Sequence, residues 1–277
     1  MATVAATRGP NWQPPAVSDV PETAVVAGVG PGFGETLVRR FADEGYAVAA
    51  FARSADYLAA LEADLRAAGH DALGVPTDLA DPAEIEAGFG AVREAFGAVD
   101  VFVYNPSVPA PGHLFEVGDD DFDAVLDVVL RGAFHAAREA VADMTATPPG
   151  VDAGADVGAD SGDAESGDAD GGVVLFTGTS IAKRAFGNLV AWDLAGPGLR
   201  GFAQSLARRF GPEGVHVSYV VVDGAIGGAG ESDVGRDDAD LLDPEAMAAT
   251  YLDVVQQDER AWTFELDLRA SGDEMRT

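Results

Sequence analysis

The stretch AVVAGVGPGFGE occupies residues 24–35. Its first half, AVVAGV, is a short apolar run of the kind found in strands that are buried on both faces. Glycines follow at positions 28, 30, 32 and 34, and glycine lets a backbone turn tightly and approach a ligand closely. The N-terminus of the next helix offers unpaired N–H groups and a positive dipole end. The stretch therefore predicts a strand–turn–helix unit that binds a pyrophosphate, the alternative being a glycine-rich turn without a ligand.

The remainder of the chain repeats this alternation. Strand-like apolar runs are predicted at 24–29, 46–52, 71–78, 99–105, 173–178, 215–223 and 263–269. Helices are predicted at 34–45, 55–69, 82–97, 119–145, 199–210 and 244–257. Strands that alternate with helices form parallel βαβ units. The sequence thus predicts one α/β domain over residues 22–277, a Rossmann-type doubly wound parallel sheet of about seven strands with helices on both faces.

The composition is strongly acidic. The 277 residues include 47 acidic and 17 basic ones, for a formal net charge of −30, and Lys183 is the single lysine. Such a charge repels phosphate backbones and disfavours nucleic acid as a partner. It is typical of a cytoplasm with molar salt, where charges are screened within ~3 Å, although an acidic protein from an ordinary cell is the alternative.

Three absences bear on the compartment. The chain has no cysteine, which excludes disulfides and cysteine nucleophiles. No apolar run reaches the roughly 18 residues that a membrane helix needs. Residues 1–21 lack a basic start followed by an apolar core, so they predict a disordered tail rather than a secretion signal. We therefore expect a cytoplasmic protein that does not associate with membranes.

An acidic insertion, rich in glycine and aspartate, interrupts the pattern at residues 148–172. Its segment 151–172 contains seven acidic residues, six glycines and no basic residue. Such a composition buries too little apolar surface to order itself. We expect a solvated insertion, and cation binding by the spaced aspartates is the alternative.

The residues after the second predicted strand indicate which nicotinamide cofactor would bind. An NAD-binding unit usually presents a carboxylate there to the ribose 2′-hydroxyl. This chain instead reads FARS at 51–54, and the guanidinium of Arg53 can pair with a 2′-phosphate. The sequence therefore favours NADP(H) over NAD(H), with a surface arginine at a strand end as the alternative.

Several landmarks occur in the order typical of one family. The chain resembles the short-chain dehydrogenase/reductases along nearly all of residues 22–230. The glycine-rich stretch is similar to their cofactor loop, and TDL at 77–79 to their adenine-contacting segment. YNPS at 104–107 stands where the family has Asn-Asn-Ala-Gly, and VDGAI at 222–226 resembles its Pro-Gly segment. The resemblance implies strand order 3-2-1-4-5-6-7 and a homodimer or homotetramer built on the two long helices.

The resemblance and the Arg53 argument together give a set of expected cofactor-binding residues. They are Gly28, Gly30, Gly32, Phe33, Gly34, Arg53, Asp78, Leu79, Asn105, Gly224 and Ile226. No metal ligand is expected.

The family's chemistry is hydride transfer between a nicotinamide and a carbonyl or alcohol. A tyrosine protonates the carbonyl oxygen, a lysine four residues later lowers the pKa of that tyrosine, a serine binds the oxygen, and an asparagine holds a relay water. The resemblance places the tyrosine at Trp192, the lysine at Gly196 and the asparagine at Val129, so none of the three is present. The serine position falls on Thr179 or Ser180. An indole N–H cannot release a proton near neutral pH.

Two local expectations follow around the missing pair. The tripeptide GPG at 196–198 is expected to delay the helix, so that it begins at Gly196 or Pro197. A displaced pair of Tyr104 and Lys183 could replace the missing acid, and Asp193 is a further candidate.

His113 is expected to be a loop residue without a catalytic role. Two functions therefore remain open: an oxidoreductase with a degraded catalytic set and an unidentified small-molecule substrate, or a catalytically silent nucleotide-binding sensor or scaffold.

Overall fold

The computed structural model describes residues 21–145, 171–228 and 240–272. The predicted tail at 1–21 and the predicted insertion at 148–172 lie almost wholly outside these ranges.

Nine parallel strands form two sheets. In chain order they are β1 (Thr23–Ala27), β2 (Ala47–Ala52), β3 (Ala72–Pro76), β4 (Val101–Tyr104), β5 (Gly172–Thr179), β6 (Val215–Val222), β7 (Ala225–Ile226), β8 (Leu241–Leu242) and β9 (Glu265–Leu268). The main sheet has seven strands in the order β3-β2-β1-β4-β5-β6-β9, and β7 pairs with β8 separately. Because β9 is the seventh strand of the main sheet, the implied order and the predicted Rossmann-type sheet are confirmed.

Helices cover both faces of the main sheet. They are α1 (Phe33–Asp43), α2 (Ala55–Ala67), α3 (Pro82–Phe96), α4 (Asp119–Leu126), α5 (Ala133–Met144), α6 (Val190–Phe210) and α7 (Pro244–Val255). The apolar sides of α1, α2 and α7 share one buried cluster, and those of α3, α4, α5 and α6 share the other. Strands β1 and β2 are buried almost throughout, which explains their continuous apolar sequences.

The central strand β1 pairs with β2 on one side and with β4 on the other. Along the chain, β2 and β3 are added on one side of β1, and the next strand, β4, is added on its other side. In open sheets of this kind, ligands bind at the carboxyl ends of the strands where this reversal occurs. The glycine-rich turn after β1 lies at that point.

The predicted long helix at 119–145 contains an irregular turn. Residues Asp127–Gly132 form a π-helical segment that joins α4 to α5. Such segments leave backbone carbonyls without their ordinary helical partners, and the position predicted for the family's asparagine, Val129, lies within this one.

The expected start of α6 at Gly196 or Pro197 is wrong. The helix begins at Val190, and Pro197 lies inside it although proline cannot donate to the carbonyl four residues earlier. Tertiary contacts hold the early turns, since Val190 N donates to Gly112 O at 3.1 Å and the helix buries Ala191 and Ala195. Packing therefore outweighs the local break.

Candidate functional site

The turn after β1 is built for close backbone contact with the end of β4. Gly28 has φ +96°, and a Cβ there would lie 2.4 Å from the carbonyl oxygen of Asn105. The Asn105 side chain also contacts Gly28, because its Nδ2 donates to Gly28 O at 3.1 Å. A Cβ at Gly34 would lie 2.7 Å from Gly28 O, so a larger residue would also disrupt the turn at that position.

The other expected residues of this turn are Gly30, which faces solvent, and Gly32 and Phe33, which lie at the start of α1. A Cβ at Gly30 would have no atom within 4 Å, so this position faces open space. Gly32 has φ +122° and precedes Phe33, the first residue of α1, and no side chain caps this N-terminus. Phe33 is buried, with its ring centroid 5.2 Å from that of Tyr251. The turn thus presents an uncapped helix end to an open space, which suits an anion.

Arg53 lies directly beyond β2 and is exposed. Strand β2 is joined to the glycine turn, because the amides of Gly28 and Val29 both donate to Phe51 O at 3.0 Å. Within residues 21–145, 171–228 and 240–272, the Arg53 side chain forms no hydrogen bond and no ion pair. Its guanidinium is therefore available to an anion at this edge of the sheet.

The segment after β3 is fixed by its own side chains. Asp78 Oδ1 accepts from Ala80 N at 2.9 Å, and the Asp78 amide donates to the carboxylate of Glu84 at 2.7 Å. Leu79 is buried, and its carbonyl oxygen would lie 2.2 Å from a Cβ at Gly132. The structure thus packs this expected adenine-contacting segment against the helix that carries Val129.

The residues after β6 stand at the same edge of the main sheet. Gly224 is exposed with φ +151°, and Ile226 belongs to the short strand β7. The preceding amide, of Asp223, donates to Leu268 O at 2.8 Å.

Thr179 and Ser180 form the turn that ends β5. The hydroxyl of Thr179 accepts from Ile181 N at 3.3 Å and caps the short 3-10 turn Ser180–Ala182. Gly196 of α6 packs against this turn, since a Cβ there would lie 3.3 Å from Ala182 N. The structure therefore packs Gly196, the position predicted for the lysine, against the turn that follows Thr179.

Trp192 is tied to the loop that follows β4. Its indole Nε1 donates to the carbonyl oxygen of Val108 at 2.8 Å, and the ring packs against the main buried cluster. Sequence reasoning missed Val108, because a backbone acceptor leaves no signal in the side-chain pattern. At the position predicted for the family's proton donor, the structure thus has an indole ring whose one donor is occupied.

Tyr104 is enclosed in the core rather than available to a substrate. Its hydroxyl donates to the carbonyl oxygen of Val128, one of those in the π-helical segment. Burial raises the pKa of Tyr104 well above its ordinary range. Val129, next to that carbonyl, is buried too.

Lys183 has other partners. Its Nζ lies 2.9 Å from Glu265 Oε1 and 2.9 Å from Asp267 Oδ2. Partial burial opposes its charge, but the bonds to Glu265 and Asp267 outweigh that effect and raise the pKa of Lys183. The alternative of a displaced Tyr104–Lys183 pair is therefore wrong.

Asp193 and His113, the remaining candidate or excluded catalytic residues, also have hydrogen-bond or ionic partners. The carboxylate of Asp193 accepts from the amides of Phe186 and Gly187, each at 2.8 Å, and so anchors the loop before α6. His113 lies in an exposed loop with its Nε2 3.2 Å from Glu116 Oε1. Within the described ranges, no group of three or more His, Cys, Asp or Glu residues could hold a metal ion. None of the helices described is long and apolar enough to cross a bilayer.

Comparison with known proteins decides the family. A family model described as short chain dehydrogenase matches residues 22–152. A short-chain dehydrogenase/reductase from Armillaria gallica is 30% identical over 202 residues, which cover 70% of this chain and 67% of that protein. This chain belongs to the short-chain dehydrogenase/reductase family. The family is one of oxidoreductases, in agreement with the sheet order and the glycine turn.

Two further relatives extend the comparison. The short-chain reductase NovJ of Streptomyces niveus is 28% identical over 197 residues, which cover 71% of this chain and 66% of NovJ. A short-chain dehydrogenase from Burkholderia cenocepacia, solved in complex with NADP, is 25% identical with a TM-score of 0.72 and covers 90% of this chain and 96% of its own. The chain spans between about half and two thirds of the length of the first curated relatives it matches.

Proposed function

We propose that this chain binds NADP(H) and is a short-chain oxidoreductase whose tyrosine–lysine proton relay has been lost. The observation that carries the proposal is the glycine turn, which is joined to Asn105 at the reversal of the sheet and opens toward solvent at Gly30. In this position a nucleotide meets the N-terminus of α1 and the carboxyl ends of the strands.

The residues that would hold the cofactor fit its chemistry. The turn Gly28–Gly34 and the uncapped N-terminus of α1 would hold the pyrophosphate, because backbone amides and the helix dipole favour an anion. Arg53 would pair with the 2′-phosphate, which favours NADP(H) over NAD(H). Asp78 would accept from the adenine. The complex of the Burkholderia relative with NADP supports this assignment.

Leu79, Asn105, Gly224 and Ile226 would border the rest of the cofactor. When bound, NADPH would supply a hydride to a carbonyl carbon, and the alcohol product would need a proton on the carbonyl oxygen. In this chain the hydroxyl of Thr179 or Ser180 would bind that oxygen, while Trp192 has no proton to give. The proton must therefore come from water. General acid catalysis contributes about 10²–10⁴-fold, so we expect turnover to be slower than that of an intact relative by this factor.

A second candidate function is nucleotide binding without turnover, as a sensor or scaffold. The Trp192–Val108 hydrogen bond favours it, because this bond joins the first turn of α6 to the loop after β4, between which a substrate carbonyl would have to enter. The two candidates share the nucleotide site and differ in hydride transfer.

One experiment separates them. NADPH and NADH binding are measured by calorimetry in molar KCl, followed by single-turnover hydride transfer to a panel of ketones and aldehydes. Tight NADPH binding with slow transfer supports the oxidoreductase, and tight binding with no transfer at any substrate supports the silent protein. Binding of neither nucleotide contradicts both.

A further inference from the structure

Large exposed apolar side chains are concentrated beside the candidate site. Four of them are Leu114, Phe115, Phe186 and Leu194, with exposed fractions of 71%, 91%, 45% and 55%. We call these four residues the apolar rim. Among the residues that the structure describes, the other exposed large apolar side chain is Phe134 on α5, at 49%.

Three separate hydrogen bonds hold the segment after β4 between the nucleotide turn and the rim. Asn105 contacts Gly28, and three residues further along the same loop Val108 accepts from the indole of Trp192. Gly112 then pairs with the loop before α6, because its amide donates to Asn188 O at 2.8 Å.

The rim residues flank these contacts. Leu114 and Phe115 follow Gly112 by two and three residues, Phe186 precedes Asn188 by two, and Leu194 lies one turn after Val190. The rim residues therefore lie on two segments, 112–115 and 186–194, that hydrogen bonds at Gly112 join, and we call the region where these segments meet the entrance.

The basic groups at this entrance already have partners. His113 pairs with Glu116, Lys183 with Glu265 and Asp267, and the guanidinium of Arg184 lies 4.8 Å from the ring centroid of Phe186. The first turn of α4 adds three exposed carboxylates at 119–121. Among the described residues, a phosphorylated or carboxylated substrate would therefore meet the carboxylates of this region and basic groups that already have partners.

We propose that the substrate of this site is an uncharged apolar carbonyl compound, or the corresponding alcohol, whose hydrocarbon part packs on Leu114, Phe115, Phe186 and Leu194. The inference rests on the proposed function, because the carbonyl must lie beside the nicotinamide. Exposed apolar side chains of this size gain free energy when a ligand covers them, and an anionic analogue would have to desolvate its charge beside the carboxylates at 116 and 119–121.

The test uses a matched pair of probes and a matched pair of variants. The probes are 2-decanone and decanoate, which share an apolar chain and differ in charge, and each competes with Nile red for the protein in molar KCl at saturating NADPH. The variants are the double substitution Leu114→Ser/Phe115→Ser and the control Phe134→Ser, which removes an exposed aromatic ring outside the rim. Light scattering checks that each has the mass of the unmodified protein, and NADPH affinity is measured in the same samples.

We expect 2-decanone to displace Nile red at least about tenfold more effectively than decanoate, equivalent to about 1.4 kcal/mol. The rim variant should weaken 2-decanone binding by at least about tenfold, and Phe134→Ser should leave that affinity unchanged. Equal competition by decanoate, or equal weakening by both variants, would overturn the proposal. If NADPH fails to bind while the ketone still competes through the rim, the proposed function is wrong and the apolar specificity of the entrance stands.

Discussion

The indole nitrogen of Trp192, in the first turn of α6, donates to the carbonyl oxygen of Val108 in the loop after β4. The sequence resemblance predicts the family's tyrosine acid at this position. In this chain the same position fastens α6 to the segment after β4, and the buried hydroxyl of Tyr104 satisfies a carbonyl of the π-helical segment nearby. Both side chains thus make packing and hydrogen-bond contacts with backbone carbonyls.

The first prediction concerns cofactor choice. Arg53→Ala should weaken NADPH binding by about 10–100-fold, because one charge-assisted hydrogen bond is worth about 1.5–3 kcal/mol, and should leave NADH binding unchanged. Calorimetry with both nucleotides measures the two affinities. The control is Arg208→Ala, an exposed arginine on α6. Equal loss for NADPH and NADH would show that Arg53 does not contact the 2′-phosphate.

The second prediction concerns the close contact of Gly132, in the π-helical segment, with Leu79 and Tyr104. A Cβ at Gly132 would lie 2.2 Å from Leu79 O and 2.5 Å from the Tyr104 hydroxyl. Tyr104→Phe should lower the free energy of unfolding by about 1 kcal/mol, since it removes the hydroxyl that donates to the Val128 carbonyl. Urea melts in molar KCl measure the change.

Gly132→Ala provides the comparison for that variant. Gly132→Ala should lower the free energy of unfolding more than Tyr104→Phe does. Adding Tyr104→Phe should not restore that stability, because the Leu79 carbonyl belongs to the backbone and cannot move aside. Rescue by the double variant would mean that the tyrosine alone occupies this space.

The third prediction is a pH dependence at Glu265. Burial opposes ionisation of this carboxyl, but hydrogen bonds from Arg200 and Lys183 outweigh burial and lower its pKa. A group whose folded-state pKa is lowered stabilises the fold above its unfolded pKa of about 4.3, and this contribution disappears as the pH falls through the folded value.

Glu265→Gln should therefore cost up to about 1 kcal/mol at neutral pH, a modest value because solvent screens a partly exposed pair. The difference between variant and unmodified protein should shrink as the pH falls below about 4. Denaturant melts across this range measure it, and a difference that does not depend on pH would assign the effect to packing.

The fourth prediction concerns salt. A net charge of −30 with one lysine should make the fold depend on screening, whose length falls from about 10 Å at 0.1 M salt to about 3 Å at 1 M. The protein should unfold on dialysis into dilute buffer and refold when KCl is restored. Thermal melts over a KCl series test this, and a melting temperature that does not change across the series would contradict it.

The sequence predicts much of the fold and part of the site, and the reason differs between residues. The glycine turn was predictable because only glycine tolerates φ +96° at Gly28 and the close approach of Asn105. The continuation of α6 through Pro197 was not, because it depends on contacts with a distant loop. The partners of Trp192 and Tyr104 are backbone carbonyls, which every residue carries, so no side-chain pattern could reveal them.

The last prediction is an attempt to restore the lost relay. Trp192→Tyr alone should restore little hydride transfer, because an isolated phenol keeps a pKa near 10 and the bond to Val108 is lost. Adding Gly196→Lys supplies the missing cation, but the new Cβ must fit 3.3 Å from both Ala182 N and Ile181 Cγ2, so the Ile181 side chain has to shift. The double variant should recover part of the roughly 10²–10⁴-fold in rate that general acid catalysis contributes. Val129→Asn should raise the rate further only if the buried asparagine finds a hydrogen-bond partner. Single-turnover transfer from NADPH to a panel of small ketones measures each step. If the unmodified protein already reduces a ketone at an ordinary enzymatic rate, and Trp192→Phe leaves that rate unchanged, the relay was never needed and our account of its loss is wrong.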